Sequence, residues 1–305
     1  MNTRPSQLGS CLVIDAVVNE PALLGECPLW CPVAEVLWWI DIEGRRLHRY
    51  DPSTGVDRSI DLNRRPGSIG RTDDPSRLVM ASEHQLLLIH WPTGETEVLH
   101  DLEAAPTQNR LNDGRVDPRG RFVVGSMWAD TAAGHTTGAC YAATRNSATT
   151  LFDGIGVANG IAFDAERNRM YFADTPSETV TVFDYDPDRG TVDNRRPFVD
   201  LQHMDGKPDG ACVDEDGCYW VAAVYGWAVL RFTPDGTLDR RIELPVQKPS
   251  MPAFGGPRVD TLFVTTIGSG GTVPSAPGRD GVTPGALLAI DAGVTGRIEP
   301  VFTTQ

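Results

Sequence analysis

Residues 214–223 read DEDGCYWVAA, a turn of Asp and Gly followed by an unbroken aromatic and apolar run. The same construction recurs five times. It reads CPVAEVLWWID at 31–41, TDDPSRLVMAS at 72–82, DPRGRFVVGS at 117–126, DAERNRMYFAD at 164–174 and GGPRVDTLFVTT at 255–266. The apolar runs start at Leu37, Leu78, Phe122, Met170, Tyr219 and Leu262, at intervals of 41, 44, 48, 49 and 43 residues. Val, Ile, Tyr, Phe and Trp in the runs with Asp, Pro and Gly between them is the division of labour expected of strands and turns.

Each unit continues into a second strand and a polar turn. These pieces are LHRYDPSTG, LLIHWPTGE, CYAATRNSA, VFDYDPDRG, VLRFTPDG and LLAIDAGVTG, beginning at Leu47, Leu87, Cys140, Val182, Val229 and Leu287. Six units of this length, each with several short strands, predict an all-β fold: a six-bladed β-propeller with four-stranded blades. The whole chain, 1–305, reads as one domain, with residues 1–10 as an N-terminal tail. CLVIDAVV at 11–18 and IEPVF at 298–302 are expected to supply the strands that close the ring. The stretches Ala129–Gly138 and Gly268–Gly285 read as long loops. A parallel α/β fold would need amphipathic helices between the strands, and no clear set of them is written here.

Composition narrows the function. The 31 glycines and 23 prolines suit a turn-rich β protein. A net charge of −14 argues against nucleic acid and against an anionic membrane surface, since both would repel it. The N-terminus MNTRPSQLGS has no apolar core of a signal peptide, and no apolar run is long enough to span a bilayer. The six cysteines have no zinc or disulfide spacing, which points to free thiols in a cytoplasmic protein.

The repeat also carries chemistry. Ten to twelve residues before each apolar run stand Glu26, Ser68, Asn112, Asn159, Asp209 and Ser250. All bear side-chain oxygen, and each should open the innermost strand of its blade at one mouth of the central channel. Equivalent residues from distant parts of the chain then form a ring. Two carboxylates in such a ring, Glu26 and Asp209, repel unless a cation sits between them. Carboxylate and amide oxygens suit a hard divalent cation, and Glu26, Asn159 and Asp209 leave room for water and substrate. The competing reading is that these side chains only cap turns and strands.

At these residues the sequence resembles the SMP-30/gluconolactonase family, also called regucalcin-like. The matching pieces are GECPLW at 25–30, NRLNDGRVDPRGRFVVGSM at 109–127, ANGIAFD at 158–164, FDYDPDRG at 183–190 and PDGACVDEDGCYWVA at 208–222. The resemblance implies a six-bladed propeller with one divalent metal ion in its channel. Ca²⁺, Zn²⁺, Mn²⁺, Mg²⁺ and Fe²⁺ are all open as its identity. It implies hydrolysis of a sugar-acid lactone, such as arabinono-, xylono- or gluconolactone, with a small-molecule substrate as the partner. It assigns the metal to Glu26, Asn159 and Asp209, and the substrate to Arg110 and Asn112. An acidic substrate contact falls on Asp130 by ungapped counting. Asp209 is the general base it suggests. Cys27, beside the ligand Glu, Asp130 in place of a Glu, and Trp128, an aromatic face for a sugar ring, are this chain's departures. Two other readings stand beside it: a metal-dependent aryl-ester or phosphotriester hydrolase, and a non-catalytic calcium-binding propeller.

Overall fold

The computed structural model describes residues 12–103 and 107–304. Its twenty-four strands form six antiparallel sheets of four, a six-bladed β-propeller. The first five blades are consecutive in sequence. The innermost strands of blades 1–5 are Gly25–Cys31, Pro66–Arg71, Asn109–Val116, Ala158–Asp164 and Lys207–Val213. Blade 6 has Pro249–Gly255 innermost, then Thr261–Thr266 and Leu287–Asp291, and takes Ile14–Val18 as its outermost strand.

The N-terminal segment therefore closes the ring as expected. Ile14 pairs with Ile290 and Ala16 with Leu288. The C-terminal IEPVF does not add a blade strand. It crosses the opposite mouth of the channel, where Phe302 bridges Thr72 and is fully buried between blades 2 and 3. Its hydrophobic residues look like a strand in sequence, but the sixth sheet is already complete without it. Residues 1–10, read as a tail, and Cys11 lie outside the described residues.

Burial falls from the axis outward, and the sequence follows it. The second strands, such as Val36–Asp41 and Tyr219–Val224, are buried along their whole length because a neighbouring blade covers each face. They are accordingly continuous apolar runs rather than alternating ones. The fourth strands, such as Val56–Asp61 and Thr96–Asp101, are largely exposed and polar. Aromatic residues fill the wedge between blades. Tyr171 and Tyr219 lie 4.8 Å apart between blades 4 and 5, and Trp30 stacks on Phe263 between blades 1 and 6.

The turns are built by buried aspartates. Asp117 Oδ1 accepts from Arg119 N and Arg121 N, both at 2.8 Å. Asp164 Oδ1 accepts from Glu166 N at 3.2 Å, and Asp214 Oδ1 from Cys218 N at 2.9 Å. Each shapes the link from an innermost strand to its neighbour, the Asx geometry that Asp favours. At the other end, Asp41 accepts from Leu23 N and Leu24 N, and Asp174 from Gly156 N and Val157 N. These bonds fix the entry into the innermost strand. Among the described residues no helix is long and apolar enough to cross a membrane.

Candidate active site at the channel mouth

Every innermost strand carries a register shift at its ring position. The shifts fall between Glu26 and Leu29, Pro66 and Ser68, Leu111 and Gly114, Asn159 and Ala162, Pro208 and Ala211, and Pro249 and Met251. A bulge breaks strict alternation and re-aims side chains. In blade 4 the residue after Asn159 is Gly160, with φ +61° and no space for a side chain: a Cβ would stand 2.5 Å from the Tyr219 hydroxyl. In blade 1 the corresponding place holds Cys27, also left-handed at φ 50°.

Four of the six ring residues, Glu26, Asn112, Asn159 and Asp209, line one cavity of about 530 Å³, together with Arg110. Ser68 and Ser250 do not reach it. Both are fully buried, and Ser250 Oγ is spent on Gly25 O and Thr265 Oγ1. Loop residues Ala129 and Thr131 and the segment Gly270–Val273 complete the wall. Leu24, Ile42, Val157 and Val224 give the lining an apolar part, beside the charged Glu43 and Lys207.

A chain of hydrogen bonds links three blades along the floor. Arg110 Nη1 donates to Asn112 Oδ1 at 2.6 Å, and Asn112 Nδ2 to Asn159 Oδ1 at 3.0 Å. Asn159 Nδ2 donates to Thr175 Oγ1 at 2.8 Å, and that hydroxyl donates to Pro208 O at 2.8 Å, next to Asp209. Thr175 has no signal in the repeat, because it lies in the loop after the second strand of blade 4.

Charge is unbalanced here. Burial, followed by the charges of Asp209 and Asp113, holds the Glu26 carboxyl well above the usual carboxylate range. Burial and then Asp113 do the same to Asp209. Asp113 itself is pushed up to about 6 by burial, against the opposing pull of Arg115. Its Oδ1 is buried with no hydrogen-bond partner. Strict strand alternation would turn Asp113 away from Asn112; the bulge brings both into play, so sequence periodicity missed it. On the cationic side, burial pulls Arg110 down to about 10, and it makes no salt bridge among the described residues.

This donor set fits a divalent cation. Two carboxylates and an amide oxygen converge on one cavity, and each carboxylate is held in a disfavoured charge state that a cation would relieve. No group of three Asp, Glu, His or Cys side chains forms a metal cluster among the described residues, so the amide of Asn159 is needed to complete the set.

The structure places other expected residues elsewhere. Asp130 is exposed and does not line the cavity; its Oδ1 accepts from Ala132 N at 3.1 Å and caps the short 3-10 turn Thr131–Ala133. Trp128 packs against His135 at 4.4 Å, and neither lines the cavity. The Cys27 thiol exchanges hydrogen bonds with the Ile69 backbone, and burial pushes it up to about 12. It is a packed thiol, not a reactive one.

A six-bladed propeller with buried carboxylates and amides converging on one channel mouth defines the class: a channel-site β-propeller. Within that class, the chain belongs to the SMP-30/gluconolactonase/LRE-like family, whose model matches residues 24–268. It is 36% identical to a pentonolactonase of Haloferax volcanii, over 94% of this chain and 97% of that protein. It is 35% identical to a 6-deoxy-6-sulfogluconolactonase of Pseudomonas putida, over 95% and 98% of the two chains. Its fold matches a calcium-binding regucalcin of Agrobacterium tumefaciens with a TM-score of 0.86 at 28% identity, over 94% and 96% of the chains.

Proposed function

We propose that the protein hydrolyses a sugar-acid lactone, with a divalent cation held by Glu26, Asn159 and Asp209. The observation that carries this is the convergence of those three side chains, from blades 1, 4 and 5, with Arg110 and Asn112 on one cavity. The names of the pentonolactonase and sulfogluconolactonase relatives support the substrate class.

A cation there supplies Lewis acidity toward the ester carbonyl. The protein's own groups do the rest. Arg110 presents a buried planar donor to the carbonyl or ring hydroxyls. Asn112 is locked between Arg110 and Asn159, so it orients the sugar ring. Asp209, ionised when a cation is bound beside it, accepts the proton of the attacking water at Oδ, a role worth about 10²–10⁴-fold. Asp130 acts through the loop it caps, which brings Thr131 to the cavity wall. The apolar side chains of the lining, Leu24, Ile42, Val157 and Val224, favour a second reading, an aryl ester or phosphotriester with an apolar leaving group.

The test strips the protein with chelator and restores Ca²⁺, Mg²⁺, Mn²⁺, Zn²⁺ or Fe²⁺ singly. Acid release is followed on 1,4- and 1,5-lactones, an aryl ester and a phosphotriester, each against its spontaneous rate. Metal-restored turnover of a sugar lactone is the expected result. Turnover of the aryl ester or phosphotriester alone selects the second reading. Binding of cation without turnover of anything selects a non-catalytic calcium-binding propeller.

A further inference from the structure

Arg115 follows Asn112 on the innermost strand of blade 3, and its side chain is buried deeper in the channel. Its guanidinium reaches three other blades. Nε donates to Ile161 O at 3.2 Å, and Nη2 donates to Ala211 O and, at 3.5 Å, to Pro252 O. These three acceptors share one register. Each lies two residues past a ring position: Asn159, Asp209 and Ser250.

Asp113 grips the same layer from the same strand, since its Oδ2 accepts from Ile161 N at 2.8 Å. Ile161 is thus held by both its N–H and its carbonyl. The register shifts that aim Asn159 and Asp209 into the cavity end at Ala162 and Ala211, so Arg115 ties down the point where each strand returns to regular pairing. A planar guanidinium with five donors can fix several carbonyls at once, which an ammonium cannot.

Glu299 supports Arg115 from below by an ion pair. That glutamate lies on the C-terminal segment, which is pinned in turn. Arg71 donates to Glu299 O, and Arg297 donates to Asp214 O at 3.0 Å and Glu215 O at 2.8 Å.

We propose that Arg115, braced by Glu299, is a positioning residue that sets the spacing of Asn159 and Asp209 at the channel mouth. The C-terminal segment then acts on the site through this brace. The inference rests on the cation reading above. Removing a group that orients ligands from the layer behind them lowers metal affinity by about 10–100-fold.

The test is calorimetric titration of Ca²⁺ and Mn²⁺ into chelator-stripped wild type, Arg115→Met, Arg115→Lys and Glu299→Gln at 25 °C, with Tm measured in parallel. Arg115→Met should bind about 10–100-fold more weakly, and the other two should fall between it and wild type. A merely structural role would lower Tm and leave the affinity of the folded protein unchanged. Folded variants with wild-type affinity therefore overturn the proposal. If Arg115→Met does not fold, Arg115→Lys and Glu299→Gln decide by the same criterion. Wild type that binds neither ion removes the cation reading and this inference together. Wild type that binds, with unaltered variants, removes this inference alone.

Discussion

Replacing Thr175 with Val removes one hydroxyl and keeps the shape of the side chain. In the structure that hydroxyl links Asn159 Nδ2 to Pro208 O, with both hydrogen bonds at 2.8 Å. Val leaves a donor and an acceptor without partners. A buried polar group left unpaired costs about 1–3 kcal/mol. Thr175 is half-buried at the cavity wall, where water offers partial replacement, so the low end applies: about 1 kcal/mol for each group, about 2 kcal/mol in all. At the roughly 2–4 °C per kcal/mol seen for large domains, Tm falls by about 4–8 °C. The Asn159 amide also loses the partner that fixes its orientation, so divalent-cation affinity falls by about tenfold. The assay is calorimetric cation binding and differential scanning calorimetry on Thr175→Val and Thr175→Ser. Serine keeps the hydroxyl and should bind the cation like wild type. Valine binding the cation as tightly as serine would refute the reasoning, because the hydroxyl would then do nothing for Asn159.

Asp209→Asn should abolish lactone hydrolysis with the circular dichroism spectrum unchanged; full turnover removes Asp209 from the chemistry. Glu26→Gln should weaken cation binding, since it withdraws one of the two carboxylates of the proposed ligand set, Glu26 and Asp209; equal affinity by calorimetry takes Glu26 out of that set. A cation at 100 times its dissociation constant should raise stability by about 2.7 kcal/mol, read as a Tm increase that chelator reverses. Cys27, Cys31, Cys140, Cys212 and Cys218 are all buried, and burial pushes Cys27 and Cys212 up to about 12. At pH 8 these five should resist a disulfide-exchange reagent until denaturant is added, and rapid labelling of any of them in the native protein, located by mass spectrometry, contradicts the packing.

The blades were readable because their information is local. Asp117, Asp164 and Asp214 bind backbone within four residues of themselves, so each turn is written beside the strand it serves. The ring was readable because a propeller repeats one register, and all six positions lie in innermost strands at a register shift. What the register does not encode is where each side chain points after a bulge. Ser68 and Ser250 share the position of Asn112 and Asn159 yet turn into the sheets, whereas Asp113, one residue off register, joins the charged group. Thr175 and Arg115 matter through partners 33 and 96 residues away in sequence, Pro208 and Ala211, and no spacing rule reaches that far. Asp130 lies off the cavity for a simpler reason: a polar residue before a tight turn satisfies its own backbone first.

The pairing of Ile14–Val18 with Leu287–Asp291 sets a timetable for folding. Of the propeller's strands, the outermost strand of blade 6 leaves the ribosome first and its partner last. Blades 1 to 5 can assemble during synthesis, but blade 1 keeps a bare face until the three C-terminal strands arrive. Trp30, on that face, waits for Phe263. A nascent chain that ends just short of Pro249 therefore exposes aromatic surface that the finished ring conceals, and it is the stage at which a chaperone has most to cover.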